Sequence, residues 1–146
     1  MRIQEIVKSP DGLWETDGTS IGTQRIAGIQ VNGDIGFYDG SSTGVSIVVE
    51  SLNMMFFTAN DGVNGIELWV TDGTISGTSM VKNINTTSDS FPALFRKGNG
   101  FLIFTAIDDD GRAKLWRTDG TEIGTTIVKD IDLNGFGNSA FFQLAG

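Results

Sequence analysis

A block of eleven residues occurs three times in this chain, and this repetition constrains the fold more than any other feature. The block reads LWETDGTSIGT at 13–23, LWVTDGTISGT at 68–78 and LWRTDGTEIGT at 115–125. Its tryptophans are separated by 55 and 47 residues, and they are Trp14, Trp69 and Trp116. Self-similarity at this spacing is typical of repeat architectures, in which each unit buries its apolar surface against a neighbouring unit.

Each complete unit contains short apolar segments that are separated by turn residues. In the third unit there are four such segments, at 92–97, 101–107, 113–118 and 125–131. The separators GNG, DDDG and DGTEIG consist largely of residues that tight turns prefer. The pattern therefore predicts four-stranded antiparallel meanders, and the absence of a sustained helical apolar period predicts little helix.

Neighbouring apolar residues inside the predicted strands indicate that both faces of each sheet are covered. Each block opens with an adjacent Leu-Trp pair, and MMFF at 54–57 and FLIF at 101–104 are unbroken apolar runs. Because successive side chains of a strand point to opposite faces, such runs supply apolar groups to both. Small sheets stacked around an axis fit this pattern better than a single sandwich. We therefore expect an all-β, β-propeller-like fold with about three four-stranded antiparallel blades per chain.

The chain is expected to form a single repeat domain over residues 1–146. Its units are approximately 1–44, 45–90 and 91–146. The first unit is degenerate, and the eight extra residues of its longer repeat lie in a Gly/Ser/Asp-rich surface-loop insertion at about 32–44. The final segment SAFFQLAG, 139–146, resembles the opening of one more unit. The outer strands of one set are thus expected partly at the ends of the chain and partly at the junctions between its units.

Three blades do not close a ring, since closed propellers typically have about 4–8 blades. An open arc would expose an apolar sheet face at each end, and such a face is a strong association surface. We expect a homo-oligomer, with a dimer that closes a six-bladed ring favoured because two-fold symmetry is the commonest. The alternative is that the chain is a piece of a longer protein.

Composition excludes several functional classes. A formal net charge of −8 argues against nucleic-acid binding, which requires a basic surface. The chain has no cysteine and no histidine, which rules out a disulfide, a Cys nucleophile and a Ser-His-Asp triad within it. No apolar run approaches the roughly 18 residues that predict a membrane-spanning helix, so membrane insertion is not expected. No secretory signal is recognisable, which leaves a cytoplasmic location open.

The repeated block has a structural interpretation, which we favour. The Asp-Gly pairs are expected to form turns in which the carboxylate accepts hydrogen bonds from downstream backbone amides. The Gly-Thr pairs would return the chain to the next strand through a bulge. The tryptophans would fill space between blades, with each indole N–H donating to a carbonyl oxygen.

A multivalent lectin is the alternative function, with one glycan site per blade. Exposed tryptophan rings stack on sugars while carboxylates bind their hydroxyls, and repetition adds avidity. The candidate ligand-binding residues are Trp14, Trp69, Trp116, Asp17, Asp72 and Asp119. A protein ligand is equally compatible with a binding module. The least favoured hypothesis is a carboxylate-based hydrolase, because the acids lie mostly in turns and Glu50 and Glu67 stand alone.

Two acidic turns form a weak candidate metal site. Oxygen-rich loops suit Ca²⁺, which takes 6–8 oxygen ligands. The candidate ligands are Asp61, Asn64, Asp108, Asp109 and Asp110. The set is not kept between units, since Glu67 is replaced by Lys114 in the third. A solvated turn is therefore the favoured interpretation, and no cofactor is expected.

The block ANDGVNGIELWVTDGTISGTSMVKNI resembles the ELWxxDGT repeat family of bacterial proteins. Residues 56–84 follow the family pattern nearly throughout, 101–131 follow it well and 1–29 follow it in part. The resemblance implies propeller-like tandem arrays in large, often secreted or surface-attached proteins without an established activity, hence an extracellular or cell-surface location. The family glutamate before Leu-Trp is replaced by Gly12 and Lys114 in the first and third units.

Overall fold

A computed structural model describes residues 5–9, 12–27 and 46–133 of the chain, and their regular structure is almost entirely β. The strands are β1 Glu5–Ser9, β2 Gly12–Thr16, β3 Gln24–Ala27, β4 Ser46–Val49, β5 Met54–Asn60, β6 Ile66–Thr71, β7 Ser79–Lys82, β8 Ala93–Lys97, β9 Leu102–Ile107, β10 Ala113–Thr118 and β11 Thr126–Lys129. One short 3₁₀ turn, Glu50–Leu52, separates β4 from β5. The predicted all-β class and low helix content are confirmed for the described residues.

The strands form three separate antiparallel sheets. The first sheet has the order β1-β2-β3, the second β4-β5-β6-β7 and the third β8-β9-β10-β11. The second and third are the four-stranded meanders that the turn chemistry predicts. The first sheet has three described strands instead of four. The predicted insertion at 32–44 and the segment 139–146 lie outside the described residues.

The second sheet buries both of its faces, as its apolar run predicts. Phe56 and Phe57 are adjacent in β5, and both are completely buried. Phe56 belongs to the core between the second and third sheets, whereas Phe57 belongs to the core between the first and second. In β6, Leu68 and Trp69 divide between the two cores in the same way. The alternation of side chains along a strand thus places the second sheet in the middle of a three-layer stack.

Aromatic packing fills the core between the second and third sheets. Phe104 meets the edge of Phe95 with ring centroids 6.3 Å apart and stacks against Trp116 at 6.5 Å. Aromatic pairs of this kind stabilise a core by about 0.5–1.5 kcal/mol per pair, in addition to the contribution of the apolar area that they bury. The first and second sheets meet through a smaller core that contains Leu13 and Ile26.

A β-bulge recurs in all three sheets, but not at the predicted place. Leu68 pairs with Lys82 while Trp69 pairs with Met80, which leaves Val81 as the extra residue. The same register shift occurs opposite the Leu-Trp pair in the first and third sheets. The bulge therefore lies inside the strand that follows the Gly-Thr pair. There it turns the side chain of Val81 into the same core as Leu68.

Candidate functional site

The turn inside each repeated block, at 17–23, 72–78 and 119–125, is called the repeated turn here. It is closed by hydrogen bonds of its own side chains. In the second unit, Asp72 Oδ1 accepts hydrogen bonds from the backbone N–H of Thr74 at 2.9 Å and from its hydroxyl at 2.6 Å. Thr74 Oγ1 in turn accepts the N–H of Gly77 at 2.9 Å. The Thr78 hydroxyl donates to the Thr74 carbonyl at 2.6 Å, so its 2.6 Å contact with Thr71 uses the Thr71 hydrogen. Each hydroxyl in this network donates once and accepts at least once.

The first and third units repeat this network. Asp17 Oδ1 accepts from Thr19 N and Oγ1 at 2.9 and 2.7 Å, and Asp119 Oδ1 accepts from Thr121 at 2.9 and 2.6 Å. The Thr121 hydroxyl holds the pKa of Asp119 below its ordinary value, and Thr74 does the same for Asp72. One oxygen of each candidate ligand Asp17, Asp72 and Asp119 is therefore used by its own turn.

The tryptophans are packed between sheets to different extents. Trp116 is 6% exposed inside the core between the second and third sheets. Trp69 is partly buried against the core between the first and second sheets, and Trp14 is also partly buried. Neither Trp69 Nε1 nor Trp116 Nε1 has a hydrogen-bond acceptor among the described residues. The predicted carbonyl acceptor is therefore wrong for these two, because apolar side chains surround rings that lie between the sheets.

The first of the two acidic turns satisfies its own carboxylate. Asp61 Oδ1 accepts from the backbone N–H of Val63 at 2.9 Å and of Asn64 at 2.7 Å, and Oδ2 accepts from Asn64 Nδ2 at 2.6 Å. Partial burial raises the pKa of Asp61, but the hydrogen bonds from Asn64 and Val63 outweigh it and lower the pKa overall. These contacts are those of a self-contained turn.

In the second acidic turn, the carboxylates of Asp108 and Asp110 are paired with the ammonium group of Lys114. Lys114 Nζ lies 2.7 Å from Asp108 Oδ2 and 2.6 Å from Asp110 Oδ2. The hydrogen bond from Lys114 keeps the pKa of Asp110 far below its ordinary range. Both oxygens of Asp109 accept from the Thr86 hydroxyl at 3.0 Å. Across 5–9, 12–27 and 46–133, no group of three or more acidic side chains is arranged to hold a metal ion.

A buried carboxylate that the sequence analysis treats only as an isolated acid joins the second sheet to the linker that follows it. Glu67 is 0% exposed. Its Oε2 accepts from Ile84 N at 3.1 Å and Ser90 Oγ at 2.6 Å, and its Oε1 accepts from Asn85 N at 3.0 Å. Burial raises the pKa of Glu67 to about 7. The available signal was its position in the strand IELWV, where every neighbour is apolar.

The third unit reverses the charges at the equivalent positions. Lys114 takes the place of Glu67, and the linker sequence NIN at 83–85 becomes DID at 130–132. Lys114 is 5% exposed, and its Nζ lies 3.9 Å from Asp130 Oδ1. An acidic strand residue with a neutral linker is thus exchanged for a basic residue with an acidic linker. The buried charge of Lys114 is again paired, at short range with Asp108 and Asp110 of the preceding turn and at longer range with Asp130 of the linker.

A cleft lies between the first sheet and the repeated turn of the second. It measures about 490 Å³ and is lined by Glu15, Gln24, Ile26 and residues 73–76. Glu15 is 4% exposed, and its Oε1 accepts a hydrogen bond from Gln24 Nε2 at 2.6 Å. The position of Glu15 is occupied by Val70 in the second unit and by Arg117 in the third.

One face of the third sheet forms no core with another described sheet. This open face consists of Ile103, Ile107, Leu115 and Val128. Leu115 is only partly buried, whereas its equivalents Leu13 and Leu68 are completely buried under the next sheet. Val128 is 48% exposed, whereas its equivalent Val81 is 4% exposed. The open face therefore has the composition of an inter-sheet core, and no sheet among the described residues covers it.

A charged residue lies at the margin of the open face. The guanidinium carbon of Arg117 lies 4.5 Å from the ring centroid of Phe101. This is a cation–π contact, in which the aliphatic part of the arginine also covers apolar surface. An apolar surface with a polar margin is the usual composition of a protein interface.

Comparison of the chain with protein-family models, with curated proteins and with solved structures found no match. In the described part of the chain, no helix has the length and apolar character to cross a membrane. The function is therefore inferred from the contacts of the described residues.

Proposed function

We propose that this chain is a non-enzymatic, β-propeller-like module of the ELWxxDGT type that serves as a scaffold or binding platform. It completes its ring by homo-oligomerisation or within a longer chain. The observation that carries the proposal is the open face of the third sheet, which repeats the chemistry of two buried faces. Burial of such a face stabilises an assembly by roughly 25 cal/mol for each Å² of apolar surface.

The stacking order of the sheets supports a continuing arc. Leu13 of the first sheet belongs to the same core as Phe57 and Trp69 of the second. Leu68 of the second sheet belongs to the same core as Trp116 of the third. Leu13 and Leu68 thus face the next sheet, and Trp69 and Trp116 face the preceding one. By this rule Leu115 faces a further sheet, and repetition of one rotation gives either a ring or a longer array.

The use of the acidic side chains supports a role without catalysis. Turn contacts occupy Asp17, Asp72 and Asp119, and ion pairs with Lys114 occupy Asp108 and Asp110. A catalytic carboxylate pair needs one group to accept or donate a proton at the substrate. Carboxylates that close turns and bind ammonium groups are accounted for by the scaffold.

The open face is tested by placing a charge in its centre. Leu115→Arg introduces a guanidinium that would be buried without a partner in the assembly, so we expect light scattering to show loss of association. Val63→Arg is the matched control, because Val63 is an 85% exposed apolar residue in a turn. The control is expected to associate like the wild type. A wild-type chain that stays monomeric at every concentration would contradict completion of the ring by homo-oligomerisation.

A further inference from the structure

The cleft between the first sheet and the repeated turn of the second has walls from both sheets. Strands β2 and β3 supply Glu15, Gln24 and Ile26, and the turn residues 73–76 supply the opposite wall. Ile26 is 2% exposed and contributes buried apolar surface, whereas Ile75 is 68% exposed. With a volume of about 490 Å³, the cleft has the size of a small-molecule site.

The corresponding space between the second and third sheets is filled. Gly120 of the third unit corresponds to Gly73 in the wall of the cleft. A Cβ atom at Gly120 would lie 2.8 Å from Met54 Sδ and 3.6 Å from Phe56 Cζ, so side chains of the second sheet pack directly against that turn. The cleft is therefore a feature of the first two sheets and not a general consequence of stacking.

The scaffold does not require an acid at the position of Glu15. The equivalent residue of the second unit is Val70, which is 5% exposed, so an apolar side chain meets the packing there. Glu15 is 4% exposed, and burial of a carboxylate costs free energy that an apolar residue does not incur. Gln24, which donates to Glu15, corresponds to Ser79 and Thr126. The buried acid and this amide are thus specific to the cleft, which indicates a role in binding.

The polar groups of the cleft are mainly hydrogen-bond acceptors. Glu15 Oε1 accepts from Gln24 Nε2 at 2.6 Å, and a carboxylate offers about four acceptor positions. Because its nitrogen donates to Glu15, Gln24 presents its amide oxygen as a further acceptor. Ser76 adds a hydroxyl, and none of the described residues that line the cleft is a lysine or an arginine. An acid beside other acceptors and apolar surface is complementary to a cation that carries an alkyl chain.

Two other ligand classes fit the cleft less well. A guanidinium group binds best when both carboxylate oxygens face it, whereas Glu15 Oε1 is already paired with Gln24. A sugar ring stacks on an aromatic face, and the described lining residues include no aromatic side chain. A primary ammonium has three donors that rotate about its stem, and these match acceptors from Glu15, Gln24 and Ser76.

We propose that this cleft binds a primary ammonium group on a short alkyl chain, as in an alkylamine or a lysine side chain. The ammonium lies between Glu15, the amide oxygen of Gln24 and the hydroxyl of Ser76. The alkyl chain packs against Ile26 and Ile75. This inference goes beyond the proposed function, because it assigns a ligand to a surface that is distinct from the open face.

A titration with n-butylammonium chloride, followed in two-dimensional amide NMR spectra, tests the site. The backbone amide signals of residues 73–76 are expected to shift with a dissociation constant on the order of 1 mM, which a ligand of this size can reach. The neutral analogue n-butanol has a similar chain and is expected to bind at least about tenfold more weakly. Equal shifts with n-butanol, or no shift at 73–76 with n-butylammonium, would overturn the proposal.

A second compound distinguishes the two sources of the ammonium group. Nα-acetyl-lysine N-methylamide carries the same ammonium chain on a peptide backbone. If it binds as tightly as n-butylammonium, the site accepts lysine side chains. If it binds much more weakly while n-butylammonium binds, the site is specific for free alkylamines.

Charge-removing variants locate the ammonium. Glu15→Gln removes the charge but keeps an oxygen that can accept from Gln24, and it is expected to weaken n-butylammonium binding by about tenfold or more. Glu50→Gln is the matched control, because it also removes one negative charge, but from an exposed residue that pairs with Lys97. The control is expected to bind like the wild type. Equal weakening by both variants would show that the net charge of the chain attracts the cation, and it would overturn the site.

A further variant tests the cleft without changing a buried residue. Ser76 is exposed, and the guanidinium of Ser76→Arg would lie beside Glu15, so loss of binding is expected with the fold retained. Ile123→Arg is the matched control, because Ile123 is the equivalent residue of the third unit and is 93% exposed. Unchanged binding in Ser76→Arg would contradict the assignment.

The binding measurement is independent of assembly. Leu115→Arg, which is expected to stop association, should bind n-butylammonium like the wild type. A chain that assembles but does not bind the amine would overturn this inference and retain the proposed function. A chain that binds the amine but stays monomeric would support the cleft and contradict completion of the ring by homo-oligomerisation.

Discussion

Glu67 connects the second sheet to the linker that leads to the third. Its carboxylate accepts from Ile84 N, Asn85 N and the Ser90 hydroxyl, and it is completely buried. The same site accommodates the protonated acid, because Ser90 Oγ also lies 3.2 Å from the carbonyl oxygen of Ile66. When protonated Glu67 donates a hydrogen bond to Ser90 Oγ, the serine hydroxyl donates to that carbonyl instead.

A specific pH dependence of stability follows from this residue. The pKa of Glu67 is about 7 in the folded chain against an ordinary value of 4.5. Between these values the folded state binds more protons than the unfolded state, so the free energy of unfolding falls as pH rises from about 4.5 to 7. The loss attributable to Glu67 is about 3 kcal/mol. Denaturant titrations across this pH range, at one protein concentration, measure it.

Two variants identify Glu67 as the origin of this slope. Glu67→Gln cannot ionise, so its unfolding free energy is expected to vary much less over the same window. Glu50→Gln is the control, because Glu50 is exposed and its pair with Lys97 lowers its pKa, which puts its titration below the window. A slope that persists in Glu67→Gln would show that other groups cause it.

At the scale of the element, the repeated turn is a set of interdependent residues. A Cβ atom at Gly77 would overlap the carboxylate of Asp72, and the same holds for Gly22 with Asp17 and Gly124 with Asp119. The glycine therefore provides space for a carboxylate that two hydrogen bonds from Thr74 fix in place. This contact explains physically why Asp and Gly recur together in each block.

A double-mutant cycle measures this dependence. Gly77→Ala is expected to expel the Asp72 carboxylate from Thr74 and to lower the free energy of unfolding by about 1–3 kcal/mol. Once Asp72→Ala has removed the carboxylate, the additional cost of Gly77→Ala should be much smaller, and chemical denaturation gives all four values. Ser76→Ala in the same turn is the control and should change little. Additive effects of the two substitutions would contradict the proposed overlap.

The elements were more predictable from the sequence than the site. Apolar runs and turn residues predicted the strands of the third unit because local periodicity and turn chemistry determine both. The predicted position of the bulge, at the Gly-Thr pair, was wrong, and the bulge lies at Val81. A register shift depends on how a side chain packs against a neighbouring sheet, which local sequence does not specify. Glu67 was missed for a similar reason, since its three donors come from residues 84–90, which only the fold brings near it.

At the scale of the whole molecule, the described sheets form a stack whose last face is open. Leu13 and Leu68 are buried because another sheet follows, and Leu115 occupies the same position in a sheet that no described sheet follows. The Leu-Trp pairs predicted two-sided burial correctly for the second sheet. The Leu-Trp pattern does not predict what covers the third sheet. A sheet face that is buried against another molecule has the same apolar residues as one that is buried against its own chain.

If the open face is buried between copies, thermal stability depends on protein concentration. Each tenfold rise in concentration adds about 1.4 kcal/mol to the stability of a dimer, which for two chains of this size raises Tm by about 2 °C. Leu115→Arg is expected to unfold at a lower temperature that does not change with concentration, while Val63→Arg follows the wild type. Calorimetric scans over a hundredfold range of concentration would measure both. A wild-type Tm that is independent of concentration and equal to that of Leu115→Arg would mean that the open face contributes nothing to stability. Burial of Leu115 by a second copy would then be excluded.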